Sequence, residues 1–206
     1  MSVQRHFSMI RDFHVADWFT LANALCGAGA VLAAMASLAE ADTRPLWIAI
    51  ALVPIALAFD VLDGRVARWR HEASALGREL DSLADVISFG MAPAAIGYAA
   101  GLDGALDVAA LVYFVACGVS RLARYNVTAE AMSADTGKVR YFEGTPIPTS
   151  VLIVGLLAIA LATENTGDAL WLGTVLLGPL SWHPLSLIYA ISGSLMISKT
   201  LKIPKP

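Results

Sequence analysis

The chain alternates long apolar runs with short polar segments, and most runs approach the length of a membrane-crossing helix. About 20 mainly apolar residues are needed to cross a bilayer as an α-helix. The pattern predicts six such helices, at about 18–39, 46–70, 77–100, 105–122, 147–163 and 184–199. We therefore expect an all-α, polytopic membrane protein with six transmembrane helices, whose membrane domain covers residues 18–206.

Two segments between these runs are harder to interpret. Residues 126–145 are polar and contain glycine, which predicts a long functional loop. The apolar stretch 169–180 is only twelve residues long and has prolines at 179 and 184. We expect 165–183 to be an external loop or a re-entrant segment, and a single kinked helix over 168–199 is the alternative.

The N-terminal segment 1–17 is too charged to be the apolar part of a signal peptide. Phe7, Ile10 and Phe13 recur at threefold spacing, and charged residues lie between them. This pattern predicts a short amphipathic helix that lies on the membrane surface.

The composition supports a membrane protein and excludes several other classes. Hydrophobic residues make up 57% of the chain and charged residues 15%, against about 45–50% and about 25% in soluble domains. Disordered proteins, disulfide scaffolds and ordinary cytosolic enzymes are therefore disfavoured. The formal net charge of −3 gives no sign of nucleic-acid binding.

The distribution of basic residues predicts the orientation in the membrane. With six helices, one side receives residues 1–17, 64–78, 121–145 and 199–206, which hold 13 of the 14 lysines and arginines. Cytoplasmic loops carry such an excess. We expect a multi-pass protein of the inner or plasma membrane with both termini cytoplasmic, where a basic surface would attract anionic lipids.

Four aspartates stand out at the cytoplasmic ends of the second and third predicted helices. Asp60 and Asp63 share one helix face with Gly64, Ala67 and Arg68 because these positions are three or four residues apart. The next helix places residues 74, 77, 81 and 85 on one face in the same way. Two consecutive helices joined by a short loop are antiparallel neighbours, so the two faces can meet.

Such a carboxylate cluster at a membrane edge predicts bound cations. An isolated carboxylate inside a bilayer costs about 2.5–3.5 kcal/mol on insertion scales, and neighbouring carboxylates also repel one another. Oxygen ligands favour Mg²⁺ or Mn²⁺, with Ca²⁺ possible, and four aspartates suffice for two ions. Two such ions suit phosphoryl chemistry, and Gly64, Ala67 and Gly77 leave room beside them. Ordinary salt bridges or a divalent cation transporter are the alternatives.

The segment from 60 to 85 matches the pattern D-x2-D-G-x2-A-R-x8-G-x3-D-x3-D at every fixed position. It resembles the signature of the CDP-alcohol phosphatidyltransferase family, whose members join an alcohol to a CDP-linked lipid and release CMP. The resemblance implies that the first three aspartates and Asp85 bind metal, and that Asp85 is also the general base. It implies contacts to the CDP-lipid from residues on the same two faces, namely Gly64, Arg68, Ser74 and Gly77.

Further segments resemble the phosphatidylserine synthase branch of that family. They are Leu80–Pro93, Arg121–Asn126, Gly144–Pro148 and Leu195–Lys199. The resemblance implies CDP-diacylglycerol and L-serine as substrates, with glycerol 3-phosphate or inositol phosphate as alternative acceptors.

Serine is a zwitterion, so its site needs partners for a carboxylate and an ammonium group. Arg121 and Arg124 are candidates for the carboxylate or a lipid phosphate, and Asn126 and Glu143 for the ammonium group. The family resemblance also implies a homodimer. Gly97 and Gly101 fit a small-residue packing motif, which could seat a helix of the same chain or of a second protomer.

Overall fold

The computed structural model describes residues 13–70, 74–133, 141–198, 200 and 202–204. Helices dominate, and the α-helices are α1 (Val15–Glu40), α2 (Arg44–Arg70), α3 (Ala75–Asp85), α4 (Ala92–Ala99), α5 (Ala105–Ser133), α6 (Ser150–Ala162) and α7 (Leu187–Met196). The strands are β1 (Tyr141–Glu143), β2 (Val175–Leu177), β3 (Leu180–Trp182) and β4 (Lys202–Pro204). They form two antiparallel pairs, β1 with β4 and β2 with β3.

Within the described ranges, four helical segments are long and apolar enough to cross a membrane, namely Val15–Glu40, Arg44–Arg70, Leu76–Ala99 and Ala105–Val127. Two shorter apolar helical segments cover Ile147–Ala162 and Pro184–Met196. The helical class and the presence of several membrane-type helices are thus confirmed. The predicted number of six spans stays a prediction. The predicted surface helix falls mainly on residues 1–12, which lie outside the described residues.

Helices α3 and α4 form one continuous helical rod, the α3–α4 rod, in which a π-helical turn, Val86–Met91, joins the two helices. Pro93 has no N–H group and would clash with the carbonyl four residues earlier in a regular α-helix. The wider turn brings the Ala92 N–H to the carbonyl of Ile87 instead. π-Turns are frequent at functional sites, and this one begins directly after Asp85.

Helix α5 corrects the prediction of a loop from residue 126 onward. The helix continues to Ser133, although its apolar stretch ends near Leu122. At 1.5 Å per residue it is about 43 Å long, more than the roughly 30 Å of a hydrocarbon core. The end of the apolar stretch marks where the helix leaves an apolar layer. Ala129, Ala131 and their neighbours still favour helix, so the helix itself continues beyond that point.

The segment between α6 and α7 is a loop containing a β-hairpin, so the alternative of one kinked helix from 168 to 199 is wrong. Strands β2 and β3 pair Leu177 with Leu180. The hairpin is fastened to the start of α5 by Asp107, which is fully buried. Asp107 accepts hydrogen bonds from the backbone N–H of His183 at 2.9 Å and of Gly104 at 3.1 Å, and lies 2.6 Å from the His183 ring nitrogen.

The small-residue motif at the end of α4 packs within the same chain. The Tyr189 side chain of α7 lies against Gly97, where a Cβ atom would come 3.0 Å from its Cζ. The Tyr189 hydroxyl donates to the carbonyl of Pro93 at 2.7 Å. Gly101, with φ of 122°, lies against the backbone of Gly167 and leaves no space for a side chain. These glycines therefore join α4 to α7 and to the following loop.

Candidate active site

Three of the predicted aspartates come together where the C-terminal half of α2 meets α3. One carboxylate oxygen from each of Asp60, Asp63 and Asp81 lies within 4.8 Å of the other two. Asp63 is buried and the other two are partly buried. Because α2 runs towards this end of the bundle and α3 runs away from it, two faces with helical spacing converge at one place.

Asp85 lies one turn further along α3, outside that group of three. Its side chain is buried, and it accepts a hydrogen bond from the Asn23 amide nitrogen at 3.4 Å. The charges of Asp60 and Asp81 act on it. The sequence-predicted set of four thus divides into a compact trio and a fourth carboxylate beside it.

Helix α1 contributes a polar stripe that sequence reasoning missed. Asp17, Thr20 and Asn23 are all buried and recur every three residues along one face. The Thr20 hydroxyl donates to Asp63 at 2.8 Å, and Asp17 acts on Asp63 through its charge. The signal was present in the sequence, because three polar residues at helical spacing inside an apolar run mark a face turned away from lipid.

Glycines allow α1 to approach the aspartate helices. A Cβ atom at Gly27 would come within 2.7 Å of the Ser88 Cα and would also meet its hydroxyl. The Ser88 hydroxyl donates to the carbonyl of Asn23 at 2.9 Å. At Gly77, a Cβ atom would lie 3.0 Å from the carboxylate of Asp17. The space beside Gly77 therefore accommodates Asp17.

The predicted CDP-lipid residues lie around the same end of the bundle. The absent side chain of Gly64 leaves room for the Arg68 guanidinium, 3.5 Å from where a Cβ atom would stand. Arg68 is exposed. Ser74 caps α3, and its hydroxyl accepts a hydrogen bond from the Gly77 N–H at 2.8 Å. This contact gives Ser74 a structural role in addition to the predicted one.

Arg121 is a predicted acceptor residue that lies within electrostatic reach of Asp85. It is partly buried on α5, and the charge of Asp85 acts on it. Its Nε atom is buried and has no hydrogen-bond partner within the described part of the chain. Arg121 therefore brings positive charge and an unused donor to the side of Asp85 that faces α5.

The remaining acceptor candidates are placed differently. The Asn126 amide donates to Ser82 at 3.0 Å and to Glu79 at 3.3 Å, so it joins α5 to α3. Arg124 is exposed. The backbone of Glu143 pairs with Lys202 in the β1–β4 ladder, whereas its side chain lies outside the described part of the structure.

Comparison with known proteins identifies the family. The family model described as CDP-alcohol phosphatidyltransferase matches residues 13–182, which include all of α1 to α6 and every aspartate of the site. The chain belongs to the CDP-alcohol phosphatidyltransferase family. The resemblance that the sequence pattern indicated is thereby confirmed.

Relatives in this family carry a more specific name. A protein from Saccharomyces cerevisiae named CDP-diacylglycerol–serine O-phosphatidyltransferase is 42% identical over 208 residues, covering 100% of this chain and 75% of the relative. Proteins of the same name from Mycobacterium leprae and Methanocaldococcus jannaschii are 39% and 32% identical. They cover 61% and 72% of this chain, and 42% and 62% of their own lengths.

The site of this phosphatidyltransferase has the chemical features of a divalent metal centre. Its carboxylate oxygens are hard ligands of the kind that Mg²⁺, Mn²⁺ and Ca²⁺ take. The Oδ1 atom of Asp81 is buried and has no hydrogen-bond partner among the described residues, which suits a metal-ligand oxygen. Separations of up to 4.8 Å fit oxygens on different sides of one ion, since metal–oxygen distances are about 2.0–2.6 Å.

Proposed function

We propose that this chain transfers the phosphatidyl group of CDP-diacylglycerol to the hydroxyl of L-serine, giving phosphatidylserine and CMP. The observation that carries this proposal is the 42% identity, across the whole chain, to a protein named for that reaction. The convergence of Asp60, Asp63 and Asp81 within 4.8 Å supports it, because phosphatidyl transfer places a charged diphosphate beside metal ligands.

The four aspartates would hold two divalent ions, Mg²⁺ or Mn²⁺, with Ca²⁺ also compatible. Asp60, Asp63 and Asp81 supply the closest oxygens, and Asp85 adds a fourth carboxylate beside them. When bound, such ions neutralise the charge that develops on phosphate oxygens during displacement. Thr20 fixes one oxygen of Asp63 by its hydrogen bond, so that carboxylate is held in one orientation.

Asp85 would be the general base. The serine hydroxyl oxygen forms a bond to the β-phosphorus, and the bond from that phosphorus to the oxygen of CMP breaks. The hydroxyl proton passes to the Asp85 carboxylate, whose position Asn23 fixes through its amide. A base of this kind must come within hydrogen-bond reach of the hydroxyl, and Asp85 lies one turn beyond Asp81 along α3.

The CDP-lipid would bind along the faces that carry Gly64, Arg68, Ser74 and Gly77. Arg68 can donate to a phosphate, since its guanidinium is exposed and charge-assisted bonds of this kind are strong. The Ser74 hydroxyl already accepts a bond from the Gly77 N–H, which leaves its own hydrogen free to donate. Gly64 has no side chain, so the CDP-lipid can approach this part of α2 closely.

The acceptor would bind between α3 and α5. Arg121 would hold the serine carboxylate. Its buried Nε donor is not paired by any described residue, and Arg121 is close enough to Asp85 for the charge of Asp85 to act on it. Arg124 remains a further candidate for the carboxylate or a lipid phosphate. Asn126 and Glu143 remain candidates for the ammonium group, although the Asn126 amide is already bonded to Ser82 and Glu79.

We further propose a multi-pass protein of the inner or plasma membrane with six spans, in which Ile147–Ala162 and Pro184–Met196 complete the four long segments. The active site and both termini would face the cytoplasm, as the basic residues indicate. The protein would act as a homodimer, with a helix on the membrane surface ahead of α1. The membrane domain would begin with α1 and not at residue 18, since residues 15–17 form the first turn of that helix.

Purified protein with CDP-diacylglycerol and Mn²⁺ or Mg²⁺ tests these proposals against a panel of acceptors. CMP release should require both serine and the metal, and D85N should abolish turnover while CDP-lipid binding is largely kept. Faster turnover with glycerol 3-phosphate or inositol phosphate would assign a different acceptor. Metal flux into liposomes without CMP production would favour a cation transporter instead.

A further inference from the structure

The side chain of Asn23 has an unused hydrogen-bond acceptor at the centre of the site. The residue is completely buried, with 0% of its surface exposed. Its Nδ2 atom donates to Asp85, but its Oδ1 atom has no hydrogen-bond partner among the described residues. Buried polar atoms are nearly always paired, so this oxygen calls for a donor that the described residues do not supply.

The neighbouring groups cannot supply that donor. Asp85 is a carboxylate and accepts hydrogen bonds. The Ser88 hydroxyl already donates to the backbone carbonyl of Asn23 at 2.9 Å. The Thr20 hydroxyl, one turn away on α1, donates to Asp63. A ligand or a water molecule can supply the missing donor. Of the ligand groups, an ammonium or a hydroxyl fits, since ionised phosphodiesters and carboxylates only accept hydrogen bonds.

A second unused atom belongs to a residue of α5 on which the charge of Asp85 acts. The Nε of Arg121 is a buried donor that no described residue pairs with. Asp85 thus has an unpaired acceptor from α1 and an unpaired donor from α5 in its vicinity. This arrangement is complementary to a zwitterion, which presents an ammonium group to one and a carboxylate to the other.

We propose that Oδ1 of Asn23 binds the ammonium group of the amino-alcohol acceptor, opposite the arginine that binds its carboxylate. In serine both charged groups are attached to the carbon next to the hydroxymethyl carbon, so this placement brings the hydroxyl to Asp85. The assignment rests on the proposed function. It also explains why an amide is present, because Asn23 can donate to Asp85 and accept from the substrate at once.

Asn126 is a weaker candidate for the same role. Its amide nitrogen donates to both Ser82 and Glu79, and its oxygen lies 3.3 Å from the Ser82 hydroxyl. Its hydrogen-bonding groups are therefore engaged within the protein. The amide of Asn23 has one group engaged and one unpaired.

The test compares serine with 3-hydroxypropanoate, which lacks only the amino group, in wild type and N23A. A lost hydrogen bond to a charged group is worth about tenfold or more in binding. We expect N23A to raise KM for serine roughly tenfold or more, to leave KM for CDP-diacylglycerol within about twofold, and to leave KM for 3-hydroxypropanoate unchanged. In N23A kcat should fall for both acceptors, because the N–H that orients Asp85 is lost. S37A is the matched control, since Ser37 is a buried polar residue on the same helix but far from the site, and its kinetics should stay at wild-type values.

The variant N23D separates the two functions of the amide and preserves its shape if N23A does not fold. It keeps an oxygen for the ammonium group but loses the N–H that orients Asp85. We expect its KM for serine to be equal to or below that of wild type, while kcat falls.

Three results would overturn the assignment. The first is a rise in KM for CDP-diacylglycerol in N23A as large as the rise in KM for serine, which would assign the oxygen to the nucleotide. The second is an unchanged preference for serine over 3-hydroxypropanoate in N23A. The third is a loss of Mn²⁺ affinity in N23A, which would make the oxygen a metal ligand. A wild-type protein that releases no CMP with serine would overturn the proposed function as well, whereas an active wild type with any of those three results overturns the role of Asn23 alone.

Discussion

The close approach of α1 to the π-turn can be tested by adding a single methyl group. In G27A the new Cβ atom would stand 2.7 Å from the Ser88 Cα and 2.8 Å from its backbone nitrogen. Both are backbone atoms, so a change of side-chain rotamer cannot relieve the contact. Helix α1 would have to move away from the α3–α4 rod. The hydrogen bonds from Asn23 to Asp85 and from Thr20 to Asp63 would then lengthen.

The size of the effect follows from the cost of overpacking. Inserting a methyl group into a well-packed interior costs about 1–3 kcal/mol. For a protein of this length about 1 kcal/mol corresponds to roughly 2–4 °C in Tm, so we expect a Tm lower by about 2–12 °C. Turnover should fall as well, because α1 supplies the hydrogen bonds that hold Asp63 and Asp85.

Thermal unfolding in detergent, followed together with serine-dependent CMP release, measures both effects. G155A is the matched control, since it also places alanine within a helix but meets no atom within 4 Å. Alanine is better than glycine in a helix interior by about 0.5–1 kcal/mol, so G155A should be as stable as wild type or slightly more stable. If G27A equals G155A in both stability and turnover, the close packing of α1 on the π-turn is refuted.

Other parts of the structure lead to further expected outcomes. In T20V, loss of the hydrogen bond to Asp63 should weaken Mn²⁺ binding measured by titration, and unchanged affinity would show that Thr20 does not orient the ligand. S74A removes the cap of α3, which is worth about 1 kcal/mol, so Tm should fall by roughly 2–4 °C. A rise in KM for CDP-diacylglycerol in the same variant would support the proposed contact of Ser74 with the lipid. H183A should lower Tm but leave KM for serine unchanged, because Asp107 and Arg121 are separated by about 21 Å along α5. Saturating Mn²⁺ at about 100 times its Kd adds about 2.7 kcal/mol, so EDTA should lower Tm by roughly 5–10 °C in wild type and much less in D63N.

The trio of aspartates could be predicted because it depends on local geometry. Spacings of three and four residues place Asp60 with Asp63 on one helix, and the short connection makes the next helix its antiparallel neighbour. Nothing beyond the helical repeat and a short loop was needed. The length of α5 was underestimated for the opposite reason, since hydropathy reports the apolar layer and helix propensity continues beyond it.

The contributions of α1 could not be predicted from the sequence in the same way. An apolar run with three polar residues predicts a membrane span. The rotation of that helix relative to the other helices depends on contacts with residues that are distant in the chain. Gly27 against Ser88 and Gly77 against Asp17 determine that rotation, and these partners are about 60 residues apart in the chain. The hairpin tied to Asp107 is likewise set by long-range contacts rather than by local pattern.

The charges at the site connect metal binding with lipid binding. Among the described residues, five carboxylates converge here, those of Asp17 and the four predicted aspartates, and the charge of Asp85 acts on the basic side chain of Arg121. The hydrogen-bond donors of Thr20 and Asn23 are neutral and cannot offset the repulsion. An anionic diphosphate approaching these aspartates alone would be repelled. We therefore expect CDP-diacylglycerol to bind tightly only when divalent cations are present, so that the affinities for cation and lipid rise together, as linkage requires.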